Sequence, residues 1–398
     1  MKALIISSRY PYSYNGGDAV RTKNLVYYIN NLGYEVELLS FSESKFICVE
    51  DQKFLKKQSI IFNPRNLKNY FDMVFSIIKK EPIQCSYYIN QNTKSILENY
   101  DFQKFDLIII FLTRLSPILK YIKKESRNKV IFDMADILTI NYKNIWKTNG
   151  INLMWKFIYS IEYFLIKDRE KFLLKQRFKK LLVSERDFNY AINNLNGTKE
   201  NLFVLPSHID SFDIEKIKKL AKIKIFKRTK KDSFKICFIG NMFANHNHSS
   251  IVDLINSNVI MDLKLLDIEI TIIGRMNNKH SDYYLSNGLN VIANPVDLKE
   301  SAIKFDCGIS LLNHCSGLQN KLYDYASLAM PIIATYASGD GIGFINKVHY
   351  LAVKDYKEFT REAIYLKNDL DFAYDLVINS LNYLDSKFTK EIIIKKLE

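Results

Sequence analysis

The most constraining feature of this chain is a series of short, wholly apolar runs, each closed by a glycine or polar loop and followed by helical periodicity. Residues 2–7 (KALIIS) are apolar at consecutive positions, as in a strand covered on both faces. The loop RYPYSYNGGDAV follows, then Leu25, Tyr28, Ile29 and Leu32 at helical spacing, Gly33 as a stop, and a second strand from Val36 to Leu39. That order opens a doubly wound parallel sheet. Runs at 107–112, 130–132 and 181–184 supply further strands, and 151–180 reads as a long helix rich in aromatic and basic residues. A strand at 202–205 halts at Pro206, and the theme restarts at Lys235 (KICFIG). Strands at 268–273, 291–292, 307–312 and 332–335 continue it, and 359–397 is mainly helical. Between the halves, 216–232 carries nine Lys or Arg and reads as an interdomain linker or an exposed helix. The expectation is an α/β chain of two facing Rossmann-like domains with an interdomain cleft. Residues 1–205 form the first domain, 206–232 a linker and 233–375 the second, with a terminal helix at about 376–398 packing back on the first. Ligands of such sheets bind beyond the carboxyl ends of the strands.

Composition narrows the class. The chain has 398 residues, 47% of them hydrophobic and 25% charged, too apolar for disorder. No apolar run approaches the roughly 18 to 20 residues of a spanning helix, and 2–7 is too short for a signal peptide core. Cys48, Cys85, Cys237, Cys307 and Cys315 are an odd set without CxxC spacing, which points to a reducing compartment and away from a structural zinc. A soluble, cytoplasmic protein is expected. The 57 basic against 43 acidic side chains give a net +14, but no nucleic-acid motif accompanies it, so no nucleic-acid partner is expected.

The most informative stretch is 316–343, SGLQNKLYDYASLAMPIIATYASGDGIG. Gly317 marks a turn after a strand, 320–330 has helical character, Pro331 stops it, and 332–335 is the next strand. Asp324 then lies in the first turns of a helix at a strand's carboxyl end. There a carboxylate can accept both hydroxyls of a ribose, or simply favour the positive end of the helix dipole. The helix start offers free backbone N–H groups to a pyrophosphate, and Lys321 adds a positive charge.

This stretch resembles the donor-binding motif of glycosyltransferase family 4, retaining enzymes of the GT-B fold. It is most similar to a branch of exopolysaccharide and capsule sugar transferases with a Gly-Ile-Gln-Asn-Lys run, here Gly317-Leu318-Gln319-Asn320-Lys321. The resemblance implies that Asp324 holds the donor ribose, where relatives usually carry Glu. The first acid of the family's pair falls on Ser316. Arg9-Tyr10-Pro11, Gly16-Gly17-Asp18 and Arg21 are similar to the family's first loop, which faces donor phosphates and acceptor. Leu205-Pro206-Ser207-His208-Ile209-Asp210 resembles its linker, and Phe238-Ile239-Gly240-Asn241-Met242 its first donor-domain strand and loop. The places of the family's phosphate-gripping Arg and Lys fall on Asn241 and His246, which leaves Lys321 as the phosphate ligand.

Other residues have two readings. Asp133 and Asp136 follow a strand and either orient an acceptor hydroxyl or cap a loop; Asp136 is the candidate with Lys321 for the chemistry. Arg114 either meets an anion or is a surface charge. His246 and His248 form a lone HxH, and Asp369-Leu370-Asp371 is the single DxD, remote from any strand end, so no metal is expected. Glu162 and Glu170 read by default as helix-surface ion pairs. The basic run 167–180 lies either on an anionic membrane or on the sheet.

The resemblance implies a retaining, metal-independent transferase that moves a sugar from a nucleotide-sugar donor to a growing surface glycan or lipid-linked saccharide. The work would sit in the cytoplasm, either free or at the inner face of the cytoplasmic membrane. A sugar-nucleotide 2-epimerase and a degenerate transferase acting as an assembly partner are the alternatives.

Overall fold

The computed structural model describes residues 1–13, 16–44, 53–64, 67–143, 145–147, 149, 151–209, 213–228, 232–313 and 315–397. Asp210 of the expected linker motif and residues 229–231 of the basic stretch lie outside them. The chain forms two compact units. The first comprises Met1–Lys143, Phe157–His208 and Ile393–Glu398, the second Asn144–Lys156 and Ile209–Ile392.

The first unit is built on a seven-stranded, wholly parallel sheet. Its strands are β1 (Lys2–Ser7), β2 (Glu35–Ser42), β3 (Lys57–Phe62), β4 (Leu107–Phe111), β5 (Val130–Ala135), β6 (Lys179–Leu182) and β7 (Leu202–Val204). The order is β3-β2-β1-β4-β5-β6-β7, so it reverses between β1 and β4. The continuous apolar runs explain the packing. Successive side chains point to opposite faces, so Leu4 and Ile6 join Ile108, Ile110 and Phe132 in one core. Ala3 and Ile5 join Val36, Leu38, Ile109 and Phe111 in another. Every residue of such a run loses its water, worth about 1.5–3 kcal/mol for each large aliphatic side chain.

The second unit repeats the plan with β8 (Phe234–Ile239), β9 (Ile268–Gly274), β10 (Asn290–Ala293), β11 (Cys307–Ser310), β12 (Ile332–Thr335) and β13 (Leu351–Val353). All pairs are parallel and the order is β10-β9-β8-β11-β12-β13, reversing between β8 and β11. Close approach demands glycine at two points. Gly274 has φ +144°, and a Cβ there would sit 1.9 Å from the Gly240 carbonyl oxygen; a Cβ on Gly308 would sit 2.2 Å from the Tyr325 ring.

Two boundaries differ from expectation. The stretch read as an interdomain linker or exposed helix contains a helix, Ile214–Phe226, capped by Asp213, whose Oδ1 accepts the Lys216 N–H at 3.0 Å. Its Ile217, Ala221 and Ile225, spaced by four, are buried in the second unit's core. The Leu370–Phe388 helix likewise puts Leu376, Val377, Leu381, Leu384 and Phe388 into that core, and only residues from Ile393 onward belong to the first unit.

Candidate functional site

Most of the sequence-marked residues gather at the carboxyl ends of strands, near the point in each sheet where strand order reverses. The two ends are described separately.

In the second unit, β11 leads through a loop to the Asn320–Ser327 helix, with Gly317 in the left-handed region at φ +64°. Tyr325 fixes this helix on the sheet. Its hydroxyl accepts the Ile239 N–H and donates to the Ile309 carbonyl, both at 2.8 Å, joining the ends of β8 and β11. One turn earlier, Lys321 is buried. Its Nζ donates to Asn247 Oδ1 at 2.8 Å and lies 3.9 Å from the centre of the Phe238 ring. Burial pulls the ammonium down to about 7, against the opposing pull of the Asp324 charge. Asn247 also donates through Nδ2 to the Asn241 carbonyl at 3.0 Å, so one amide ties the loop after β8 to the lysine. Gly240 follows β8, and a Cβ there would crowd the Phe238 ring and the Asn247 amide. Asn241 Oδ1 accepts the Phe243 N–H at 3.1 Å. Gln319 is the N-cap residue of the 320–327 helix and donates through Nε2 to the Ser316 carbonyl at 3.3 Å. Asn320 is exposed, Asp324 is half-buried, and Ser316 and Gly317 are buried. Thus Lys321, Asp324, Gly317, Gln319, Asn320, Gly240 and Asn241 border one region. Nothing in the local sequence marks Asn247, because its role depends on a contact across 74 residues.

In the first unit, Gly16 is the N-cap of the Gly17–Asn31 helix. Arg21, read as part of the preceding loop, instead lies inside this helix and is buried. Its Nε donates to Asp133 Oδ2 at 2.8 Å, while Nη1 and Nη2 have no partner among the described residues. Asp133 Oδ1 accepts the Ala135 N–H at 2.9 Å, so Asp133 is an internal counter-charge and turn former. The adjoining strands end in strained backbone: Leu112 has φ +80° and Ala135 φ +60°. Such conformations cost a bulky residue about 1–3 kcal/mol. The turn at Ala135 carries Asp136, which is half-buried and close enough to act electrostatically on Tyr142 and Glu170. Arg114 is not a free surface charge; it is half-buried, its Nε is enclosed, and its guanidinium lies 5.9 Å from the centre of the Tyr88 ring.

Glu162 and Glu170 correct the expectation of surface ion pairs. Both are buried on the Leu153–Leu174 helix. Glu162 accepts the Ile83 N–H at 2.8 Å, the Gln84 N–H at 3.2 Å and Gln84 Nε2 at 3.1 Å. Glu170 accepts the Leu138 N–H at 2.7 Å, the Thr139 N–H at 3.3 Å and the Thr139 hydroxyl at 2.5 Å. Each carboxylate caps the start of another helix. Burial pushes Glu170 up to about 8.

In the basic run 167–180, Lys180 is buried and donates to the Leu174 and Gln176 carbonyls. His246 stands in the first turn of the Asn245–Asn256 helix, while His248 Nδ1 is bonded to the Tyr284 hydroxyl at 2.7 Å. Asp369 is an N-cap, accepting the Phe372 N–H at 3.0 Å. Among the described residues no three His, Cys, Asp or Glu side chains are grouped as a metal requires. A cavity of about 690 Å³ lies elsewhere in the first unit, lined by Asp72, Ser76, Cys85, Asn90, Pro117 and Tyr121 among others, and includes none of the candidate residues.

No family model matches the chain, and no curated protein sequence matches it. Solved structures do. The sucrose-phosphate synthase from Thermosynechococcus elongatus is 12% identical with a TM-score of 0.68, aligned over 100% of this chain and 97% of that one. Anabaena Alr3699/HepE in complex with UDP-glucose is 10% identical at 0.64, over 100% and 98%. WaaG, a glycosyltransferase involved in lipopolysaccharide biosynthesis, is 10% identical at 0.63, over 100% and 98%. At such identities the likeness is one of architecture, and it spans both sheets: two Rossmann-like units, seven- and six-stranded, give this chain the GT-B fold.

Proposed function

We propose that this chain is a glycosyltransferase that moves a sugar from a nucleotide-sugar donor to a growing surface glycan, such as a capsule, O-antigen or exopolysaccharide chain. The observation that carries the reading is the buried lysine of the second unit: Lys321, held on Asn247 and the Phe238 ring at the start of the helix that bears Asp324. A nucleoside diphosphate needs a cation, free amide N–H groups and an acceptor for its ribose hydroxyls, and this edge offers all three within two helical turns. The fold agrees, since HepE with this architecture holds UDP-glucose and WaaG is a glycosyltransferase of lipopolysaccharide biosynthesis.

In this reading the transfer is retaining and metal-independent, as in family 4. The bond from the sugar's anomeric carbon to the diphosphate oxygen breaks, and Lys321 with the helix-start amides meets the charge that develops there. The acceptor hydroxyl attacks from the same face and gives its proton to the departing phosphate oxygen. Asp324 anchors the ribose, Gly240, Asn241, Gly317, Gln319 and Asn320 border the donor, and Asp136 with the Gly16-Gly17 turn shapes the acceptor side. The acceptor is a glycan or lipid-linked saccharide.

The test is a thermal-shift screen against UDP-, GDP-, ADP- and CMP-sugars with and without EDTA, followed by titration of the best ligand into wild type and Asp324→Ala. We expect one donor to stand out with EDTA present and Asp324→Ala to bind it about 10- to 100-fold more weakly. Equal binding by the folded variant removes the ribose assignment. Conversion of the donor alone to an isomeric sugar nucleotide would replace transfer by epimerisation.

A further inference from the structure

One surface of the first unit is apolar where a soluble helix is usually polar. The Leu67–Ile78 helix reads LKNYFDMVFSII. Leu67, Phe71, Val74, Phe75 and Ile78 fall on one stripe, yet they are between 54% and 78% exposed. The opposite stripe, Asp72, Met73, Ser76 and Ile77, is half-buried or buried. This inverts the usual arrangement of an amphipathic helix on a core.

The surroundings are cationic. Lys79 and Lys80 follow the helix, and both are exposed. The next residues are tied to the Leu153–Leu174 helix through the Arg169–Glu81 ion pair and the Ile83 N–H to Glu162 bond. That helix exposes Phe157, Phe164 and Phe172, with Lys167 and Lys171 between and beside them and Lys175 just beyond its end.

We propose that this face seats the chain on an anionic lipid bilayer. The Leu67–Ile78 helix lies in the plane of the membrane with its apolar stripe at the acyl boundary, and the lysines reach the headgroup phosphates. Charge selects this occupant over a second copy of the chain. A two-fold contact through the same patch would oppose lysine to lysine, whereas an anionic surface meets the apolar stripe and the rim together. The twelve residues of the helix rise about 18 Å, so it lies on the membrane and does not cross it. Among the described residues no helix is long and apolar enough to span a bilayer. The inference rests on this surface alone and does not depend on sugar transfer.

The experiment is co-sedimentation of the full chain with sucrose-loaded vesicles of phosphatidylcholine alone or mixed with phosphatidylglycerol. We expect sedimentation with the mixed vesicles, weakened by salt. The Phe71→Ser/Phe75→Ser variant should partition at least about tenfold less, with unchanged circular dichroism, because its substituted side chains are exposed. Lys79→Glu/Lys80→Glu should lose the preference for phosphatidylglycerol independently of any effect on the helix. The proposal is overturned if wild type stays in the supernatant with both vesicles, or if the serine variant sediments like wild type while the charge variant keeps the preference. It is also overturned if light scattering shows a dimer that the serine variant dissolves while vesicles bind neither protein.

Discussion

A lysine held down near 7 makes ligand binding depend on pH in a calculable way. Lys321 has little water around it, and its nearest polar partner is the neutral Asn247 amide. In the free protein it is therefore half-charged near neutrality. A bound diphosphate restores the charge by supplying a strong counter-ion, so the affinity should follow the fraction already protonated. With a free value of about 7 and a bound value several units higher, affinity falls about thirtyfold from about pH 6 to about pH 8.5, near 2 kcal/mol. An intact sugar nucleotide is the right probe, because its diphosphate is esterified at both ends and carries no group that titrates in that range.

The assay is isothermal titration calorimetry at several pH values, in pairs of buffers that differ in ionisation enthalpy. Near pH 7 about half a proton should be taken up per ligand bound. Lys321→Met should bind weakly, with a flat profile and no proton uptake. The stability sign is opposite to the function. The folded value lies below the unfolded 10.5, so between about 7 and 10.5 the unfolded chain binds more protons and stability rises with pH. Below 7 the full cost of the buried charge is present. Lys321→Met should thus raise the melting temperature most below pH 7 and not at all above about 10.5, the gain being on the order of a few kcal/mol. A flat wild-type profile, or an equally steep one in Lys321→Met, would refute the assignment of the anion to this lysine.

Three further outcomes follow from the geometry. Glu170, raised to about 8 by burial, favours the folded chain most below the unfolded value of 4.5 and progressively less as pH rises through 8; the melting-temperature advantage of wild type over Glu170→Gln should therefore shrink from pH 5 to pH 8. Asp133→Asn leaves the Arg21 guanidinium buried without its counter-charge and should cost about 3–5 kcal/mol in urea unfolding. Gly274→Ala sets a Cβ against the Gly240 carbonyl oxygen at a φ that suits glycine, and should cost about 3 kcal/mol or more by the same measurement.

What could be read in the sequence follows from what burial does to a strand. Ala3–Ile6 of β1, Ile108–Phe111 of β4, Ile236–Ile239 of β8 and Ile332–Ala334 of β12 are buried at every position, so these runs are apolar without interruption and visible by eye. β3 sits at a sheet edge with mostly half-buried residues (KQSIIF), and β13 has three residues; neither carries that signal. The Ile214–Phe226 stretch reads as linker or exposed helix because five lysines crowd its other faces, although Ile217, Ala221 and Ile225 repeat at four-residue spacing. Lys321 and Asp324 stand out because a turn glycine, a helix start and a proline stop surround them within fifteen residues. That Lys321 is half-discharged is invisible there, since it depends on Phe238 and Asn247 closing over it from another part of the chain.

Glu162 and Glu170 sharpen the same point. Eight residues apart on one helix, they lie about 12 Å apart along its axis and about 80° apart around it. Spacing alone cannot distinguish an exposed acidic stripe from two buried caps, because the difference is made by Ile83, Gln84, Leu138 and Thr139, all far away in sequence. Once those donors are known, the helix reads as a clamp. Glu170 grips the backbone two residues after Asp136, just past the strained turn at Ala135. A carboxylate on a strained turn keeps its direction only if the chain beyond the turn is held, and two N–H bonds and a hydroxyl bond to one buried acid supply that hold. Asp136 thus takes its placement from a residue with no chemistry of its own in the proposed transfer.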